Sequence, residues 1–175
     1  MDLMGMLGGV LQQAEGGQIP QNIDQHVDTA ANAIGPGALG DVFSHLFNSN
    51  QTPPFGQMLG GLFGQSAPNV QASVLNGLIG AAGPALLGGL MGGGGLSGLA
   101  GIFGGGAPRQ LTPQEASQIS PQEVQQIAHQ VQQTNPGVVD QISSIYANHP
   151  TMVKALGTGA MMLALRKIAE MQQQR

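Results

Sequence analysis

Leu39-Gly-Asp-Val-Phe-Ser-His-Leu-Phe47 and, sixteen residues further on, Phe55-Gly-Gln-Met-Leu-Gly-Gly-Leu-Phe63 are two versions of one pattern. In the first, Leu39, Val42, Phe43, Leu46 and Phe47 recur at i, i+3, i+4, i+7 and i+8. In the second, Phe55, Met58, Leu59, Leu62 and Phe63 do the same. That spacing gathers the large apolar groups on one side of an α-helix, whereas a strand would need strict alternation. Each copy predicts an amphipathic helix of about three turns. The run from Asn48 to Pro54 reads as a turn, so the two are expected to form an antiparallel αα-hairpin. Two copies are too few for a solenoid, which needs about three.

Working outward, glycine and proline punctuate the chain, and almost every proline stands where a helix would begin. Towards the N-terminus, Leu3, Met6, Leu7, Val10 and Leu11 predict a short helix over Met1 to Ala14, stopped by Glu15-Gly16-Gly17. Pro20 opens a second, with Ile23, Val27, Ala30, Ala31 and Ile34 on one side and Gly35-Pro36-Gly37 as its end. Beyond the repeat, Ser66 to Ile79 predicts a helix with Pro68 in its first turn. After Gly83-Pro84, Ala85 to Met91 and Leu96 to Phe103 are short apolar pieces around Gly92 to Gly95. Each glycine inside a helix costs about 1 kcal/mol relative to alanine, so these pieces need close partners. The four successive glycines read as a hinge or flexible loop, and Gly104 to Pro108 as a linker.

From Arg109 the chain turns polar and Gln-rich. Thr112-Pro113-Gln114-Glu115 and Ser120-Pro121-Gln122-Glu123 are capping boxes with proline at the first helical position. The hydroxyl accepts from a free backbone N–H while the glutamate reaches back. Asn135-Pro136 starts a helix carrying Val138, Val139, Ile142 and Ile145, which His149-Pro150 breaks. A last helix is expected from Pro150-Thr151 toward Glu170, with Arg166 and Lys167 in its later turns, where the dipole favours cations. The predicted fold class is all-α: short helices with Gly and Pro breaks, an αα-hairpin in the N-terminal half and a compact helical module at the C-terminus. The composition divides the chain into a Gly-rich, nearly charge-free helical region over 1–106 and a Gln-rich helical module over 107–175.

Between Asp41 and Arg109 there is no Asp, Glu, Lys or Arg, a gap of more than a third of the 175 residues. Only 8% of the whole chain is charged, against about a quarter in an ordinary soluble domain. Such a surface has little to keep it apart from its own copies or from lipid. With five Lys and Arg in all and 3% aromatic residues, neither a phosphate-tracking patch nor a base-stacking platform is present, so nucleic acid is not an expected partner. The absence of cysteine removes disulfides, thiol catalysis and Cys-based zinc sites. Asp2 stands where a secretory signal would be basic, so a cytoplasmic location is expected, with membrane association as its variant.

The polar candidates read as structural. Asp24 and Asp28 share a helix face while His26 points elsewhere, a solvated face rather than a metal cage. Asp41 and His45, at i and i+4, can support one helix turn. His129 lies on a Gln-rich helix and His149 in a turn. The glycines from Gly88 to Gly106 lack the preceding strand and following Lys of a phosphate loop. No catalytic, metal or cofactor-binding residue is expected, nor a small-molecule substrate. The small-residue spacing carries more weight. Gly77, Gly80 and Gly83 fall three apart, as do Gly98 and Gly101. Leu86, Leu87 and Leu90 lie between these groups. Small residues on one helix face let backbones approach closely. These eight positions are the candidate self-association residues.

The run Ile119-Ser-Pro-Gln-Glu-Val-Gln-Gln126 resembles the Ile-Ser-Pro motif of YidB-like bacterial proteins, and Met1 to Gln13 and the Gly-Leu tract at Leu86 to Phe103 are similar to them in character. The resemblance implies a bacterial, mostly helical protein without an assigned enzyme activity. It transfers no site residue, and the two helices over Val138 to Arg175 extend beyond it. Two functions follow as expectations. One is a non-catalytic, self-associating protein with a structural or interaction role. The other is a membrane-associated protein that uses 78–103 as a re-entrant or surface-lying hairpin.

Overall fold

A computed structural model describes residues 3–16, 21–92, 97–103 and 109–174. The helices in chain order are α1 (Leu3–Glu15), α2 (Ile23–Phe47), α3 (Phe55–Gln65), α4 (Pro68–Gly92), α5 (Ser97–Phe103), α6 (Pro113–Ala116), α7 (Pro121–Thr134) and α8 (Val138–Ala147). A 3-10 segment, Pro150–Leu156, then leads into α9 (Thr158–Gln173). There is no strand among the described residues, and the fold is all-α. The four-glycine run from its second residue and the linker at Gly104 to Pro108 lie outside the described residues.

The predicted stop at Gly35 acts as a kink, and the helix expected over Ser66 to Ile79 runs on to Gly92 with a kink at Gly83. α2 continues past Gly35 (φ 78°, ψ 168°) and α4 past Gly83 (φ 69°, ψ 168°). The reverse holds near the C-terminus. One helix was expected from Pro150, but Gly157, at φ 86° and ψ 166°, separates the 3-10 segment from α9. Only glycine takes such angles without a Cβ penalty, so each of the three sites re-aims the chain at a defined point.

Both copies of the repeat are helices, and every large apolar residue quoted from them is buried. Their partners differ from the expected hairpin. Phe47 and Phe55 meet edge to face at 5.1 Å around the turn, but α2 packs chiefly on α8 and α9, and α3 on α7. The reason is steric. Gly56, Gly60 and Gly64, at i, i+4 and i+8, open a seam on α3, and Pro121, Gln125 and His129 of α7 come down on it. A Cβ at Gly56 would stand 2.8 Å from the Gln125 carbonyl oxygen, and one at Gly60 2.8 Å from that of Pro121. No such approach is open to two helices whose facing positions all carry large side chains.

α1 lies against α9, and α4 against α6, α7 and α8. Buried side chains from both sides of the compositional boundary at 106 and 107 therefore belong to one hydrophobic core. The tilted Phe43 ring lies 6.0 Å from Phe47 and 5.8 Å from Tyr146 of α8, which carries the aromatic file across that boundary. Burial pushes the Tyr146 phenol up to about 12, opposed by the Ser66 hydroxyl 3.4 Å away. Polar ties cross the same boundary. Asn76 accepts from the Leu111 N–H at 2.7 Å and donates to its carbonyl at 3.1 Å. Ser44 donates to Asp140 at 2.6 Å, and Lys154 of the 3-10 segment pairs with Asp28 of α2.

Candidate self-association surface

The eight expected contact residues separate into two groups. Gly77 is buried beneath α8, where a Cβ would touch Ile142 and Ile145, each at 3.4 Å. Leu87 is 1% exposed and belongs to the chain's own core. Gly98 is filled by Glu123 of α7 and by Ile119 just before it, both within 3.1 Å of where a Cβ would stand. Close packing at small residues is therefore present at Gly77 and Gly98, but within the molecule, and these residues with Leu87 are removed from an outward surface. Gly80, Gly83 and Gly101 face open space, with nothing within 4 Å of a Cβ. Leu86 is half-buried. The side chain of Leu90 lies outside the described residues.

What remains outward is the later part of α4. Gly80, Pro84, Ala85, Gly88 and Gly89 are exposed, none of them charged. Pro84 follows the positive-φ glycine, so the kink turns residues 84–92 away from the line of the earlier, buried part of α4. Leu87 anchors that extension inward.

The capping boxes form as the sequence predicts. Glu115 N–H donates to the Thr112 hydroxyl at 3.4 Å, and Thr112 N–H to Glu115 at 2.9 Å. Arg109 also grips the Glu115 carboxylate. The hydrogen bond from Arg109 and then that from the Thr112 amide hold this carboxyl at about 2. In the second box, Glu123 N–H donates to Ser120 at 3.2 Å and Ser120 N–H to Glu123 Oε2 at 3.0 Å. Glu123 has a further role that no sequence signal announced. Its Oε1 accepts from the Gly98 amide of α5 at 2.8 Å. Burial pushes Glu123 up, but the bonds from Gly98 and Ser120 outweigh it and leave the carboxyl below its ordinary range. The α3 seam was also missed, although its i, i+4, i+8 glycine spacing stands in the sequence.

The polar candidates do not converge. Asp28 is engaged by Lys154, and Asp41 and His45 are both exposed. His129 takes part in the α3 seam through its backbone. Among the described residues, no group of three or more His, Asp or Glu is placed to hold a metal ion. A polar groove of about 350 Å³ lies between α2 and α8, with Asp41, Ser44, Asp140 and Ser144 in its wall. Its Asp140 is already bonded to Ser44. No family model, curated protein or solved structure matches this chain.

Proposed function

We propose that this chain is a non-catalytic, self-associating helical protein with a structural or interaction role, and that copies meet through the later part of α4. One observation carries the reading. Past the kink, the exposed positions Pro84, Ala85, Gly88 and Gly89 form an uncharged helix flank, with Gly80 exposed just before the kink, and these glycines have open space beside them. Soluble proteins limit such area to patches of a few hundred Å². Contact between identical flanks removes it in every copy at once, and closed two-fold pairs are the common outcome. The similarity of Ile119 to Gln126 to YidB-like proteins favours the same kind of protein, bacterial, mostly helical and without an assigned enzyme activity.

The second reading has an observation of its own. Pro68–Gly89 has a mean hydropathy of 1.4 over its most apolar window, and 44% of that window is buried. A bilayer helix needs about 20 apolar residues facing lipid. The kink at Gly83 and the burial of the earlier turns against α7 and α8 favour protein as the partner.

Light scattering of the detergent-free protein over a range of concentrations tests the proposal. An assembly larger than one chain is expected, broken by Gly80→Glu and by Leu86→Lys, because an unpaired buried charge is costly in every copy. Gln174→Lys, at an exposed position of the last turn, is expected to leave it intact. A protein that stays monomeric as concentration rises refutes self-association, and one that sediments with membranes favours the lipid reading.

A further inference from the structure

Asn76-Gly77 is the one Asn-Gly pair among the eight asparagines of the chain. Such a pair has a chemistry of its own. The glycine amide nitrogen can attack the carboxamide carbon of the asparagine before it, because glycine has no Cβ to block the approach and its backbone turns freely. A carbon–nitrogen bond forms, the side-chain nitrogen leaves as ammonia with the displaced proton, and a cyclic imide remains. Water then opens the imide at either carbonyl. One opening gives aspartate. The other gives isoaspartate, in which the main chain runs through the side-chain carbon. Water is the only co-reactant.

The fold keeps the two reacting groups apart. Gly77 lies inside α4, where each N–H is bonded to the carbonyl four residues earlier, so the attacking nitrogen is engaged. The Asn76 carboxamide is engaged at both ends. Its oxygen accepts from the Leu111 N–H at 2.7 Å and its nitrogen donates to the Leu111 carbonyl at 3.1 Å. Held there, it cannot swing over the Gly77 amide. Leu111 stands 35 positions further along the chain, so only the completed fold supplies this clamp.

We infer that Asn76 is a self-modification site that the fold keeps closed, and that its conversion bars an opened chain from returning to the native state. Both products undo what the asparagine does. Aspartate still accepts from the Leu111 N–H, but it turns an oxygen toward the Leu111 carbonyl where an N–H stood. It also places a charge at a half-buried position, in a stretch, 42–108, that holds no Lys or Arg to pair with it. Isoaspartate adds a carbon to the main chain of α4 and shifts the residues beyond it out of helical register. Residue 111 directly precedes the Thr112 cap, so the lost tie also frees the entry to α6. Each spell in the open state adds converted chains, and refolding does not reverse the conversion. This holds for one chain by itself and is independent of self-association.

The full-length protein is held for days at mildly alkaline pH, once in native buffer and once in urea. Mass spectrometry after digestion with an acid protease then reads position 76 through the exchange of NH for O. Conversion is expected in urea, and at a rate at least about tenfold lower in native buffer, where the reaction waits on local opening. Gly77→Ala adds a methyl that makes ordinary contacts with Ile142 and Ile145, each at 3.4 Å, and is expected to suppress the conversion in urea. On dilution from urea, refolded chains should carry asparagine, and converted chains should collect in the fraction that does not refold. Asn76→Asp, made directly, should lower Tm by about 2 °C or more. Should that variant fail to fold, the dilution experiment on the aged wild-type chain decides the consequence. Equal rates in the two buffers, no conversion in urea, or conversion of Gly77→Ala at the wild-type rate each overturns the inference. So does refolding of converted chains as complete as that of unconverted ones.

Discussion

Gly60 and Gly61 are neighbours in the middle of α3, and the structure assigns opposite signs to the same substitution at the two sites. Gly60 is buried on the seam with α7. A Cβ there would overlap the Gln125 side chain and stand 2.8 Å from the Pro121 carbonyl oxygen, a backbone atom that cannot swing aside. Gly61 is exposed, with nothing within 4 Å. Alanine at either position gains roughly 0.5–1 kcal/mol through backbone entropy. At Gly61 that gain stands alone, so Gly61→Ala is expected to stabilise the fold by that amount. At Gly60 the added carbon forces α3 and α7 apart, and overpacking typically costs about 1–3 kcal/mol. Gly60→Ala should therefore be neutral to destabilising by about 2 kcal/mol, with the two variants differing by about 1–3 kcal/mol. Both are unfolded by heat as full-length protein at one low concentration, so that association contributes equally. For a chain of this size the expected gap in Tm is about 2–4 °C per kcal/mol. Equal midpoints for the two variants would falsify the assignment of the glycine seam to α7.

Three further outcomes are expected. Ser120→Ala removes the cap of α7 and should cost about 0.5–2 kcal/mol in urea unfolding; wild-type stability would show that the box contributes nothing. Phe47→Ala, at a residue 3% exposed between the Phe43 and Phe55 rings, should cost about 3–5 kcal/mol, and a loss under about 1 kcal/mol would contradict its burial. Glu115, held at about 2 against an ordinary 4.5, contributes stability that is fully present above the ordinary value and is lost as pH falls towards about 2. Arg109→Gln removes the largest cause and should move the Glu115 titration upward by carboxyl NMR; an unmoved titration would sink the role given to Arg109.

The apolar faces were legible because helix period alone decides them. Leu39 to Phe47 and Phe55 to Phe63 bury the residues that the spacing selected. The two caps were legible because Thr112 and Ser120 act on amides three residues away. Partner choice was not, because it depends on groups far apart in the chain. Nothing near Phe55 says that its helix will lie on Gln125 and not on Leu46. The glycines show the same limit. Gly77, Gly80 and Gly98 look alike in sequence, yet Ile142 fills the first, Glu123 the third, and nothing described fills the second. The kinks were half legible. Gly35 and Gly83 were marked by the following proline, whereas Gly157 precedes Thr158 and carried no such mark.

The interlocking of the two halves has a consequence for how the chain acquires its structure. The Ser44–Asp140 and Ser66–Tyr146 contacts join residues 96 and 80 positions apart. Synthesis proceeds at about 5–20 residues per second. α2, α3 and α4 thus emerge seconds before the helices that cover them. During that interval the stretch from Val42 to Pro108 has neither its cover nor a charged residue to hold it in solution. Loop closure over such separations also slows the search once the chain is complete. Nascent chains crowded on one message would present the same bare helices to each other, so the yield of folded protein should fall with expression rate more steeply than equilibrium stability would suggest.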